Sequence, residues 1–188
     1  MAATAALLYI SLLLRPDAAS ETERTENDSA FFAEFELTDH RGMVQTQRDF
    51  SGRWMLIFFG FTSCPDICPT TLSEVAVLME GLGDEAEKVQ PIFITIDGER
   101  DRPVVLSEYV AQFDAGIVGL TGTAAQMAAV SDKFPIFFER NDDPTAPGGY
   151  TMSHTSNLFL FDPKAGYSTS WPYGTSAEEI LADLQERI

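Results

Sequence analysis

Trp54-Met55-Leu56-Ile57-Phe58-Phe59-Gly60-Phe61 runs straight into Thr62-Ser63-Cys64-Pro65-Asp66-Ile67-Cys68-Pro69. The first eight residues are almost unbroken in their apolarity, which predicts a central strand buried on both faces. From residue 70 to 82, Leu72, Val75, Ala76, Leu78 and Met79 recur at helical spacing, and Gly81 and Gly83 are expected to end that helix. The two cysteines therefore fall where a buried strand hands over to a helix.

Working outward, residues 91–96 (PIFITI) predict a second buried strand, followed by a turn at Asp97-Gly98-Glu99-Arg100-Asp101. Residues 102–113 predict a helix with Pro103 in its first turn. A short strand is expected at 117–120, a helix from Thr123 to Ser131, a strand at 134–138 and a Pro/Gly/Asp loop at 141–149. Residues 157–161 (NLFLF) predict a strand, which turns at 162–166 and pairs with 168–171. Ser176 opens a last amphipathic helix, with Glu178 and Glu179 in its first turn. Upstream, Phe35-Glu36-Leu37 and Met43-Val44 flank Asp39 and Gly42, which reads as an N-terminal β-hairpin. The alternation gives an α/β class: a thioredoxin-like fold, with a mixed central sheet flanked by helices and led by that hairpin.

The expected organisation has three parts: an apolar signal or anchor segment at 1–14, a flexible linker at 15–30, and a thioredoxin-like domain at 31–188. Residues 7–14 (LLYISLLL) are strongly apolar, and Arg15-Pro16 ends the run. A bilayer span needs roughly 20 apolar residues. The run reads as the core of a signal peptide, with Ala18-Ala19-Ser20 as a poor cleavage site, or as an anchor whose true start lies upstream. Either implies export; an ordinary apolar helix is the plain alternative. The following stretch, rich in Ser, Thr, Glu and Asp, has linker composition.

The formal charge of −17 argues against nucleic acid, which needs a basic face, and against adhesion to anionic lipid. It suits a cation or a basic partner, and equally a solubility adaptation. Two cysteines cannot staple 188 residues, so a disulfide-framed mini-protein is excluded.

A helix N-terminus stabilises a thiolate and lowers its pKa. At i and i+4 on one helical turn, Cys64 and Cys68 would share a face with Cα atoms about 6 Å apart, within disulfide range. The pair can close as a disulfide or open as a two-sulphur clamp. Its C-x-x-x-C spacing is not the C-x-x-C of thioredoxin-type redox motifs. The segment before the late strand reads Tyr150-Thr151-Met152-Ser153-His154-Thr155, with no proline where the oxidoreductases carry a cis-proline. In a thioredoxin-like fold this segment approaches the cysteine-bearing helix. Two thiolates and one imidazole (Cys64, Cys68, His154) make a soft set suited to copper, whereas structural zinc wants four ligands. A static disulfide and a structural His154 remain the bland readings. His40, in a turn, reads as solvated. Met152 shares the face of His154 in an extended segment, as a thioether helper or as core. Asp97 reads as a cap, a turn residue or a support behind the site.

Residues 58–69 (FFGFTSCPDICP) resemble the signature of the Sco (SenC) family of copper chaperones. Residues 97–101 resemble its acidic DPERD turn, Leu120-Thr121-Gly122 its LTG step, and His154-Thr155-Ser156 its metal histidine. The resemblance spans residues 35 to 188, and Gly98 departs from it where the family usually has proline, which is expected to loosen the turn. It implies one copper, as Cu(I) or Cu(II), on Cys64, Cys68 and His154. It implies support for the dinuclear copper site of cytochrome c oxidase subunit II or of another copper-site protein, from a membrane-tethered monomer. The expected location is the inner membrane facing the periplasm, with the mitochondrial inner membrane as the alternative. The competing function is thiol–disulfide exchange with Cys64 and Cys68 as a catalytic dithiol, Cys64 attacking, or copper and redox sensing. A conventional enzyme is not expected.

Overall fold

The computed structural model describes residues 31–188, and the expected apolar segment at 1–14 and linker at 15–30 lie outside the described residues. The apolar run forms strand β3, Trp54–Gly60, buried along almost its whole length. It pairs in parallel with β4, Val89–Thr95, in register Ile57 to Ile92. Both strands carry apolar side chains on both faces because both lie at the centre of the sheet. The sequence starts β4 two residues late: Val89 and Gln90 join it ahead of Pro91, which lies inside the strand opposite Leu56.

The expected hairpin is present as β1, Glu36–Asp39, and β2, Val44–Thr46, and it forms one edge of the sheet. Strand β5, Val118–Thr121, lies between β1 and β4. Past β3 come β8, Leu158–Phe161, and β9, Tyr167–Trp171, both antiparallel. The order β2-β1-β5-β4-β3-β8-β9 makes a mixed seven-stranded sheet, as the thioredoxin-like reading requires.

Four α-helices accompany it among the described residues: α1 (Ile67–Leu82), α2 (Pro103–Val110), α3 (Ala124–Ser131) and α4 (Ala177–Arg187). Pro103 takes the first helical position of α2, where its missing N–H costs nothing. Thr123 caps α3 through the Gln126 N–H, and Ser176 caps α4 through the Glu179 N–H. Gly83 ends α1 at φ +55, but Gly81 is no terminator. A Cβ at Gly81 would stand 2.6 Å from Leu181 Cδ2, so this glycine lets α4 pack close against α1.

Two expectations fail together. Residues 134–137 are not a strand: the Phe134 N–H bonds back to the Val130 carbonyl, and the Ile136 N–H closes a tight turn around Pro135. The strand begins where the prediction ended it, as β6, Phe138–Asp142. It pairs with β7, Tyr150–His154, in a separate two-stranded ribbon, Phe138 opposite His154. The expected 141–149 loop is thus only the ribbon's tip and the end of β6.

Candidate functional site

Cys64 is not helical, contrary to the i, i+4 expectation. It sits in the loop between β3 and α1, and Cys68 alone lies in the first turn of α1. The side chains still meet, because the Cys68 N–H donates to Cys64 Sγ at 3.4 Å. That N–H is one of the helix's free N-terminal donors, and the N-cap residue Asp66 offers it no side-chain oxygen. The sulphur therefore does a cap's work, and the helix end stabilises its negative charge.

The two thiols split sharply. Cys64, half-buried, is pushed down to about 4, first by the hydrogen bond from the Cys68 side chain, then by the His154 side chain and the backbone N–H groups of Asp66 and Cys68, against the opposing effect of burial. Cys68 is fully buried and pushed up, first by giving its hydrogen to Cys64 and then by burial. At neutral pH the pair is one half-buried thiolate and one buried thiol. Both sulphurs are free of a disulfide.

His154, at the end of β7, brings its Nε2 to 3.7 Å from Cys68 Sγ across 86 residues of chain. Its Nδ1 lies 2.9 Å from the Thr155 carbonyl oxygen, an acceptor only, so Nδ1 carries the hydrogen. In the neutral ring Nε2 then turns its lone pair towards the sulphurs, the arrangement that suits a metal ligand. Phe58 and Phe61 hold the imidazole edge-to-face, with centroids 6.1 and 5.9 Å away. Beside it opens a cavity of about 410 Å³ lined by Phe61, Cys64, Pro65, Ile67, Met152 and His154. Among the described residues no three Cys, His, Asp or Glu donors stand ready-spaced around an ion. Cys68 instead links the other two, its N–H 3.4 Å from Cys64 Sγ and its Sγ 3.7 Å from His154 Nε2.

A model of the SCO1/SenC family matches residues 23–188. The chain belongs to the SCO1/SenC family. It is 38% identical to the SCO2-like protein of Rickettsia felis over 182 residues, covering 95% of this chain and 88% of the relative. Among solved structures it resembles Bradyrhizobium japonicum ScoI with copper bound, at TM-score 0.76 and 36% identity, covering 85% of this chain and all of that one. Yeast Sco1 with copper bound is similar at TM-score 0.75 and 30% identity, covering 84% and 88%.

Within this SCO1/SenC frame His40 and Gly98 depart from their sequence reading, whereas Asp97 and Met152 keep to theirs. His40 is not solvated: its Nδ1 accepts from the Gly119 N–H at 3.1 Å, which docks the β1–β2 turn on β5. Asp97 is buried and accepts from Tyr150 Oη at 2.8 Å and from Arg100 Nε. Met152 lines the cavity beside His154, two residues along the same strand face, as expected. Gly98 does not loosen its turn. A Cβ there would stand 2.0 Å from the Gly122 carbonyl oxygen, so the glycine permits a backbone approach that proline would block.

Three supporting residues carry no signal of periodicity. A Cβ at Gly60 would lie 2.8 Å from Cys68 Sγ and 2.9 Å from the Phe93 ring. Asp101 is fully buried, accepting from the Thr62 N–H at 2.8 Å and from the hydroxyls of Thr62 and Thr95 at 2.5 Å each. Burial raises its pKa and these bonds oppose the rise. Tyr109 is pushed up first by burial and then by the charge of the cysteine pair and Asp101, so its ring borders the same electrostatic field. A polar residue after a buried strand was the available clue to Asp101; its partners lie too far along the chain to be read.

Proposed function

We propose that this chain carries copper, holding one ion on Cys64, Cys68 and His154, and supports assembly of the dinuclear copper site of cytochrome c oxidase. The observation that carries the reading is the 3.7 Å approach of His154 Nε2 to Cys68 Sγ, beside the thiolate of Cys64. A thiolate, a thiol that metal would deprotonate and a pre-oriented imidazole form a soft donor set for copper. Three protein ligands leave a position through which a recipient's donor can enter and draw the ion away. The copper-bound ScoI and Sco1 relatives support the same reading. The recipient would be the oxidase's subunit II or another copper-site protein. The segments at 1–14 and 15–30 would tether residues 31–188 to an inner membrane, facing the periplasm or, by analogy with mitochondrial relatives such as the bovine SCO2 homolog, within mitochondria. No helix among the described residues is long and apolar enough to cross a membrane.

One observation favours a second reading. Cys64 is a half-exposed thiolate paired with a resolving thiol, as thiol–disulfide exchange requires. Oxidase assembly and disulfide reduction, measured side by side in His154→Ala, separate the two. The carrier reading expects assembly to be lost while reduction persists; retention of assembly with bound copper at wild-type level would overturn it.

A further inference from the structure

The cysteine loop and the histidine ribbon are separate pieces, and what joins them is the turn at residues 97–101. The ribbon β6–β7 shares no ladder with the seven-stranded sheet among the described residues. Its His154 lies between two anchorages. On the C-terminal side the chain enters the main sheet at Leu158. On the N-terminal side the anchorage is Tyr150, the one buried residue of β7. Tyr150, Met152 and His154 alternate onto one face, so the ring of Tyr150 and the imidazole of His154 point the same way, about 13 Å apart along a paired strand.

The 97–101 turn grips Tyr150 from several directions. Tyr150 Oη donates to Asp97 Oδ1 at 2.8 Å. Arg100 lies over one region of the ring at 3.8 Å, and Arg140 stacks on it at 3.6 Å. Arg100 Nη1 also donates to the carbonyls of Tyr150, at 2.9 Å, and Pro147, at 2.6 Å, while its Nε bonds Asp97. Glu99 pairs with Arg140 at 3.0 Å. The same five-residue turn ends at Asp101, which holds Thr62 two residues before Cys64. Gly98 is pressed against the Gly122 carbonyl, so the turn is fixed from behind.

We infer that the 97–101 turn is a brace that sets the spacing between the cysteine loop and His154, with Arg100 and Tyr150 as positioning residues that keep the imidazole within reach of the sulphurs. The inference rests on the copper reading of the site. Arginine is required for this task because one planar fork serves a carboxylate, two carbonyls and a ring face together, which a lysine ammonium does not.

The test compares wild type, His154→Ala, Arg100→Gln, Tyr150→Leu and Arg140→Ala, each loaded with Cu(II), by electron paramagnetic resonance for imidazole nitrogen coupling and by competition for affinity. Arg100→Gln and Tyr150→Leu are expected to lose or weaken the nitrogen coupling and to bind copper about 10- to 100-fold more weakly, as outer-shell losses do. Arg140→Ala, which removes a half-exposed guanidinium, is expected to do the same to a smaller degree. In the metal-free proteins, amide exchange is expected to quicken in β6 and β7 while β3 and β4 stay protected. Nitrogen coupling that is present in wild type, absent in His154→Ala and unchanged in all three brace variants would overturn the brace alone. Coupling that is indifferent to His154→Ala would overturn the copper site and the brace with it.

Discussion

Cys64 and Cys68 are the same residue type four positions apart, yet they are chemically unlike. The helix end reaches Cys64, whereas Cys68 is sealed beneath it. With Cys64 pushed down to about 4, its thiolate is fully present above that pH and disappears only as pH falls through it. Alkylation of Cys64 by iodoacetamide in the reduced protein should therefore run at a nearly constant rate from pH 8 down to about 5. An ordinary cysteine would slow by about tenfold per pH unit across that range. Mass spectrometry of the labelled peptide checks this, and Cys68 should label far more slowly. The same shift has a stability consequence. Reduced wild type should gain on Cys64→Ser as pH rises from about 4, because the unfolded chain holds the proton longer. Gly60 is a second position where the site is set by contact. Adding one methyl there meets Cys68 Sγ and two phenylalanine rings at once, so Gly60→Ala should cost about 1–3 kcal/mol in urea unfolding and weaken copper binding as the sulphur shifts. The donors themselves were legible because cysteine and histidine are scarce in this sequence. Gly60 and Asp101 were not, since their roles are fixed by neighbours brought from elsewhere in the chain.

At the scale of elements, the buried ones were readable and the ribbon was not. β3, β4 and β8 are buried on both faces, so their composition announces them. β6 carries Glu139, Arg140, Asn141 and Asp142, and only its partner strand makes it a strand. Its polar face belongs to the surface and to the Tyr150 stack, and a single sequence reads such a stretch as loop. Helix ends followed local chemistry more closely. Ser176 Oγ accepts from the Glu179 N–H at 3.2 Å and opens a helix whose Ile180 and Leu184 enter the core. Ser176→Ala should therefore cost about 1 kcal/mol in urea unfolding without changing copper binding. A loss of copper binding would mean that α4 acts on the site, although its Leu181 packs at Gly81, the end of α1 away from Cys68. The i, i+4 geometry expected for the cysteines failed for a local reason too: the chain reaches Asp66 before it adopts helical backbone, leaving Cys64 in the approach loop.

On the scale of the whole molecule, the α/β frame brings two distant pieces of chain to one rim. Cys64 and Cys68 follow the central strand, His154 arrives on a ribbon outside the sheet, and the 97–101 turn lies between them. The charge of −17 gives a field that draws cations and basic surfaces, as the proposed carrier would need in meeting an ion and a recipient. The donors that the loaded protein uses decide whether it is a copper carrier. X-ray absorption at the copper edge of the stoichiometrically loaded, reduced protein reads them directly. The expected result is one copper per chain with two sulphur neighbours and one imidazole nitrogen, the nitrogen vanishing in His154→Ala. A copper shell of oxygen and nitrogen alone, unchanged when either cysteine is replaced, would contradict it.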